Sequence, residues 1–211
     1  MRILELFFGT GSVGNVCRRL GCEVTSLDRD MPADIRMDIM DWNYTSLPPK
    51  SFDIIWASPP CTEYSVAKTV GLRKMDEANA VVQRTIEIIR YFLPTYWMME
   101  KPQTGLLKHQ LFMADLPYND LDYCKYGMPY RKRTRLWNNI EAWTPRPLCK
   151  KDCGHMVGKR HEQSAQQSPN MHLASVRQRF RTRDLYKVPE PLIEELFGLL
   201  LQLLLPPALL A

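Results

Sequence analysis

No uninterrupted apolar run in the sequence reaches the roughly 18 residues that a membrane-spanning helix needs. The Leu-rich stretch after Leu192 is broken by Glu194, Glu195, Gln202 and the Pro206-Pro207 pair. Six cysteines (Cys17, Cys22, Cys61, Cys124, Cys149 and Cys153) are too few and too scattered to staple 211 residues into a disulfide scaffold. No secretory signal precedes Ile3, so a reducing intracellular compartment is expected: cytoplasm or nucleoid, or a nucleus in a eukaryotic host. Internal repeats are absent too.

Hydrophobic residues make up 45% of the chain and charged residues 24%, which permits one ordinary globular domain, or one domain with a small appendage, and excludes disorder for most of it. Basic charge is confined to one third of the sequence. Residues 1–123 carry 13 Lys/Arg against 16 Asp/Glu, residues 124–188 carry 15 against 4, and residues 189–211 carry none against 3. A basic third beside a slightly acidic remainder suits a polyanion held on one side of a domain that handles something else on the other.

Short apolar runs alternate with amphipathic stretches. Residues 2–7 read as a strand that ends in Gly9-Thr10-Gly11-Ser12, and 13–20 place Val13, Val16, Cys17 and Leu20 on one helical stripe. Strands are predicted at 23–28, 52–57 and 95–99, a short third segment at 34–40, and a helix at 77–91. This is an α/β sheet, whose ligands belong at the carboxyl ends of the strands. The glycines of the first turn permit close backbone approach, and Asp28 and Asp38 at successive strand ends could meet ribose hydroxyls and an adenine amine. With Gly14 completing the spacing, the turn alone also permits a dinucleotide.

Pro59-Pro60 stiffen the backbone before Cys61, which places the thiol at a strand end facing the crevice. The next strand ends in Glu100-Lys101-Pro102, so a carboxyl group is its neighbour. Neither group has an adjacent His, which disfavours a Cys/His hydrolase; a thiolate attacking an electron-poor ring held by an acid fits better. Strand alternation puts Arg131, Arg133 and Arg135 on one side of an extended segment and Lys132 and Thr134 on the other.

These motifs, in this order, resemble the cytosine-C5 DNA methyltransferase family over about residues 2–140. Phe7-Phe8-Gly9-Thr10-Gly11 is similar to the family's Phe-x-Gly-x-Gly cofactor loop, and Pro60-Cys61-Thr62-Glu63-Tyr64-Ser65 to its Pro-Cys-x-x-Phe/Tyr-Ser loop. Glu100 matches the acid of Glu-Asn-Val, with Lys101-Pro102 replacing the last two residues. Tyr126-Gly127-Met128-Pro129 and Arg131 to Arg135 match Phe-Gly-x-Pro and Gln-x-Arg-x-Arg, with Arg131 in place of Gln.

The resemblance implies a Rossmann-like S-adenosylmethionine-dependent methyltransferase sheet. It implies that Cys61 attacks C6 of a flipped-out cytosine, that Glu100 holds N3 and the exocyclic amine, that Arg135 contacts O2, and that Arg133 supports the loop or a phosphate. Phe7, Gly9, Gly11, Asp28 and Asp38 would bind the cofactor. Double-stranded DNA is the expected partner. Structured RNA, or a binding protein without turnover, are the alternatives, since no large recognition region and no Gly-Asn-x-Val motif are apparent. The chain divides into a catalytic domain at 1–140, a small, irregular, basic Cys/His insert at 141–176 that is a candidate recognition element, and a C-terminal segment at 177–211 whose helix packs back on the sheet. Within the insert, Cys149, Cys153, His155 and His161 have a spacing that could hold a structural zinc.

Overall fold

The computed structural model describes residues 1–165 and 182–204. The 176/177 boundary, residues 177–181 of the basic stretch at 177–187 and the Pro206-Pro207 pair lie outside the described residues. Strands β1 (Arg2–Leu6), β2 (Glu23–Asp28), β3 (Ile35–Arg36), β4 (Ile54–Ala57) and β5 (Tyr96–Pro102) run parallel. With β6 (Tyr118–Asp122) and β7 (Arg133–Asn138) they form a seven-stranded sheet in the order β3-β2-β1-β4-β5-β7-β6. Strand β7 is antiparallel to both of its neighbours. The chain moves outward from β1 through β2 to β3 and then resumes on the other side at β4, so the switch point lies between β1 and β4. A crevice opens at their carboxyl ends.

The central strands are apolar on both faces because helices cover both. Ile3 and Leu4, Ile54 and Ile55, Met98 and Met99 are all fully buried, each pair divided between the two sides of the sheet. On one side lie α1 (Ser12–Arg19) and α3 (Glu190–Leu204). Helix α3 turns Leu192, Ile193, Leu196, Phe197 and Leu200 inward as a single stripe, onto the layer of Ile3, Trp56 and Met98. On the other side, α2 (Met75–Phe92) buries Val82, Ile86, Ile89 and Phe92. Phe92 meets Phe52 edge to face with ring centroids 5.0 Å apart. Asp76 and Glu77 in the first turn of α2 and Arg90 in the last complement its dipole, and Leu93 ends it in the left-handed region at φ 48°. No helix among the described residues is long and apolar enough to cross a membrane.

Two glycines fix the entry to α1. Gly11 has φ 70°, and a Cβ there would lie 2.6 Å from the Phe8 ring. A Cβ on Gly14 would collide with Glu5 Oε2, because the Glu5 carboxyl is packed against the first turn of α1. Strand β6 was not expected, since YNDLD offers one apolar residue among polar ones; its pairing with β7 supplies what its own sequence does not. The extended segment expected from Arg131 starts as a strand only at Arg133. The insert, expected to be irregular, contains a hairpin of β8 (Met156–Val157) and β9 (Arg160–His161).

Two stability predictions follow from this packing. Phe197→Ala removes a fully buried ring at the α3–sheet contact and should lower unfolding free energy by about 3–5 kcal/mol in a urea titration. Burial pushes the Glu5 carboxyl up to about 8, against the opposing effects of the Gly14 N–H and Arg18. The folded protein then holds a proton that the unfolded chain releases, so stability falls as pH rises from about 4.5 to about 8. Glu5→Gln should remove up to about 1.4 kcal/mol per pH unit of that slope, measured by denaturation of cofactor-free protein between pH 5 and 8.

Candidate active site

A cleft of about 1150 Å³ lies along the carboxyl ends of β1, β2, β4 and β5. At one end it is lined by Phe7, Gly9, Asp28 and Asp38, and at the other by Cys61, Glu100, Lys132 and Arg133. Four of the five residues singled out as cofactor ligands (all but Gly11) and three of the four singled out as reacting groups (all but Arg135) thus share one space.

The glycine turn is held by β2. The N–H groups of Phe7 and Phe8 both donate to the Leu27 carbonyl, at 2.8 and 3.1 Å, and Phe7 takes the positive φ of 65° that this requires. Asp28 Oδ2 accepts from Gly9 N at 2.9 Å, while its Oδ1 accepts from Asp30 N and Met31 N at 2.8 and 2.9 Å. Asp38 accepts from Met40 N at 2.9 Å and pairs with Arg29 at 3.2 Å. Gly11 does not line the cleft; it shapes the turn as the left-handed cap of α1. Glu5, which sequence reasoning passed over as a strand residue, lines the cleft floor, and its buried Oε2 has no hydrogen-bond partner among the described residues.

At the other end, Cys61 follows Pro59-Pro60 just beyond β4 and is partly exposed. The fully buried Lys101 ammonium donates to the Pro59 carbonyl, so the residue beside Glu100 braces the turn that carries Cys61. The loop after Cys61 is tied to itself. Lys68 Nζ reaches both Glu63 carboxylate oxygens at 2.6 and 2.7 Å, Lys74 N donates to Oε2 at 2.8 Å, and these bonds, Lys68 first, hold the Glu63 carboxyl below its ordinary range. Tyr64 turns inward and donates to Asn79 on α2 at 2.7 Å. Glu100 is buried, and its Oε1 accepts from the Tyr123 hydroxyl at 2.8 Å and from Lys132 Nζ at 3.4 Å. Burial, then the Glu100 charge, pushes the Tyr123 phenol well up, so it stays a donor.

The arginines depart from expectation. Because β7 runs antiparallel to β5, its first residue lies at the cleft edge and each later pair of residues lies about 6.7 Å farther away. Arg133 lines the cleft, with its fork on Asp122 at 2.8 and 3.0 Å. Arg135 is not among the cleft residues. It pairs with Asp120 at 2.7 and 2.9 Å and stacks on Tyr118 at 3.5 Å. Lys132, expected on the opposite side, faces Glu100 and the Tyr123 ring, because residues 131 and 132 precede the strand and do not follow its alternation. Arg131 borders a separate shallow basic surface with Lys151, Lys159 and Arg160.

The metal-ligand expectation is corrected at one position. Cys149, Cys153 and His161 gather, but the fourth group is Cys124, and all four ligand atoms lie within 4.8 Å of one another. His155 turns instead toward Glu162, 3.7 Å from its carboxylate. Cys124 was hidden by its distance in sequence from the other three; only the return of the chain after β7 brings it in.

No protein-family model matches the chain. It is 36% identical over 172 residues, 74% of this chain and 79% of the relative, to the "Probable DNA (cytosine-5)-methyltransferase" of Frog virus 3 (isolate Goorha). Among solved structures, a prophage-encoded E. coli protein assigned as a DNA modification methyltransferase matches with a TM-score of 0.53 at 15% identity, over 71% of this chain and 52% of that one. The S. pombe Dnmt2 methyltransferase matches at 0.49 and 14% identity, over 69% and 52%. The chain spans about half the length of these solved structures. The first of them shares its Rossmann-like methyltransferase fold, and the extent of identity with the viral relative settles the family: the chain belongs to the cytosine-5 methyltransferases.

Proposed function

We propose that this chain transfers a methyl group to C5 of cytosine in DNA, with Cys61 as the nucleophile. The observation that carries the reading is that Cys61 and Glu100, at the ends of adjacent strands, open into the same cleft as the glycine turn and its acids. DNA is preferred over RNA because the viral relative is named for DNA.

The cofactor end suits S-adenosylmethionine. Its polar lining offers the carboxyl groups of Asp28 and Asp38, which are acceptors for hydroxyls and amines and would oppose a dinucleotide's pyrophosphate. The buried Glu5 oxygen, without a hydrogen-bond partner among the described residues, provides a further acceptor for a ligand N–H or O–H. Phe7 supplies an apolar face for the adenine, and Gly9 leaves room for close approach. When bound, S-adenosylmethionine supplies an electrophilic methyl group.

The chain's own groups do the rest. The base must leave its stack to reach the cleft. The Cys61 thiolate forms a bond from Sγ to C6, and the C5–C6 π pair moves to C5, its charge shared with N3 and O2, while the Glu100 carboxylate accepts the exocyclic amine N–H of the base. Tyr123 and Lys132 hold that carboxyl in place. C5, made nucleophilic by this pair, gains the methyl group. Release of the C5 proton to solvent restores the C5–C6 double bond and expels Sγ as thiolate. The net change is replacement of one ring hydrogen by methyl, with one proton released.

Transfer of methyl label from the cofactor to DNA or to RNA is the direct test: label in DNA alone is expected, and label in RNA alone would reassign the substrate. Cys61→Ser should abolish transfer while leaving cofactor affinity within a few-fold, and methylation by this variant at the parent rate would remove Cys61 from the chemistry. Lys132→Met should lower the single-turnover rate at least about 10-fold, equivalent to about 1.4 kcal/mol. Arg135→Lys, at the Asp120 pair away from the cleft, should change the rate little. Reversal of that order would restore Arg135 to the site.

A further inference from the structure

We propose that Cys124, Cys149, Cys153 and His161 bind a structural zinc ion that fastens the segment following β7 to the edge of the sheet. This site is separate from the methyl-transfer cleft and does not depend on that reading.

Three sulfurs and one imidazole nitrogen, all within 4.8 Å of one another, make a compact set of soft and borderline donors. Tetrahedral zinc with ordinary Zn–S and Zn–N lengths places sulfur and nitrogen about 3.6 Å apart. Cys149 Sγ and His161 Nε2 are 3.5 Å apart. A thiolate-rich tetrahedral set selects zinc over the hard cations calcium and magnesium, which take oxygen donors.

The surrounding backbone is built for it. In the turn from Cys149 to Cys153, Lys151 adopts a φ of 70° and its N–H points back at Cys149 Sγ, 3.3 Å away. Such a bond offsets part of a thiolate's charge and fixes the sulfur's direction. Cys149 N donates to Asp122 Oδ2 at 3.0 Å, and Lys125 pairs with Asp152 at 2.9 Å, so the turn is docked on the sheet from both sides of Cys124. The four ligands come from three stretches: the turn between β6 and β7, the Cys149–Cys153 turn, and β9.

The need for a clip is visible in what the segment lacks. Its hairpin has two residues per strand, and Val157 is 67% exposed, so apolar burial cannot hold it in place. The hairpin also presents Lys159 and Arg160 beside Arg131 and Lys151. Fixing His161 therefore fixes a basic surface next to the sheet.

The full chain, expressed with zinc and purified under reducing conditions, should contain about one zinc per chain by elemental mass spectrometry. Cobalt in its place should show the strong visible bands of a tetrahedral thiolate site. His161→Ala should weaken zinc binding at least about 10-fold in competition with a chelating dye, equivalent to about 1.4 kcal/mol, whereas His155→Ala should leave it unchanged. Cys124 is buried and its replacement endangers folding, so the partly exposed His161 is the deciding position. Absence of zinc both as purified and after titration with zinc salt would overturn the proposal. So would the weak bands of octahedral cobalt, or zinc lost in His155→Ala and kept in His161→Ala.

Discussion

Asp122 is a fully buried carboxylate, and the arrangement of the basic third of the chain around it depends on how its charge is met. Arg133 grips both of its oxygens, and the Cys149 N–H takes a further bond to Oδ2. An uncompensated charge at this depth would cost several kcal/mol, so the three groups are obliged to stay together. Through Asp122 the last strand in space, β6, is locked to β7, Arg133 is held at the cleft edge, and the Cys149 turn is seated on the sheet. One carboxylate thereby couples the reacting end of the cleft to the cysteine cluster, although neither touches the other.

Strand direction decides which side chains this lock can serve. The carboxyl ends of the parallel strands define the cleft, and an antiparallel β7 feeds it with the residues that begin the strand rather than those that end it. Lys132 and Arg133 are therefore at the cleft, and Arg135 is one pair too far along. The same reversal explains the acids of β6. Asp120 lies opposite Arg135 and Asp122 opposite Arg133, so a strand poor in apolar residues is held by two cross-strand ion pairs instead.

Much of the sheet was legible because parallel strands buried on both faces read as apolar runs, and because Gly9, Gly11 and Pro59-Pro60 punctuate their ends. Cys61, Glu100, Asp28 and Asp38 could be placed by the rule that ligands sit at those ends. What could not be read has a common cause. Asp122, Tyr123, Cys124 and Lys132 owe their positions to pairing between segments, not to local pattern, and β6 has no periodicity of its own. His155 illustrates the converse: close spacing in sequence made it a ligand candidate, but in the hairpin its ring turns toward Glu162 and away from the sulfurs.

The replacement of the family's Asn by Lys101 next to Glu100 acquires a physical meaning from its surroundings. A lysine in this place would be expected to damage the site, since a buried ammonium is costly unless something meets it. Burial does push Lys101 down to about 8, but attraction to Cys61 and to Glu100 opposes the shift. Its folded value lies below the unfolded one, so the cost is present in full below pH 8 and fades only as pH rises toward 10.5. At neutral pH the group is therefore still charged and still donates to the Pro59 carbonyl. The chain accepts a standing penalty in stability and obtains a rigid brace under the Cys61 turn, in a place where rigidity of the nucleophile matters more than the free energy of the fold.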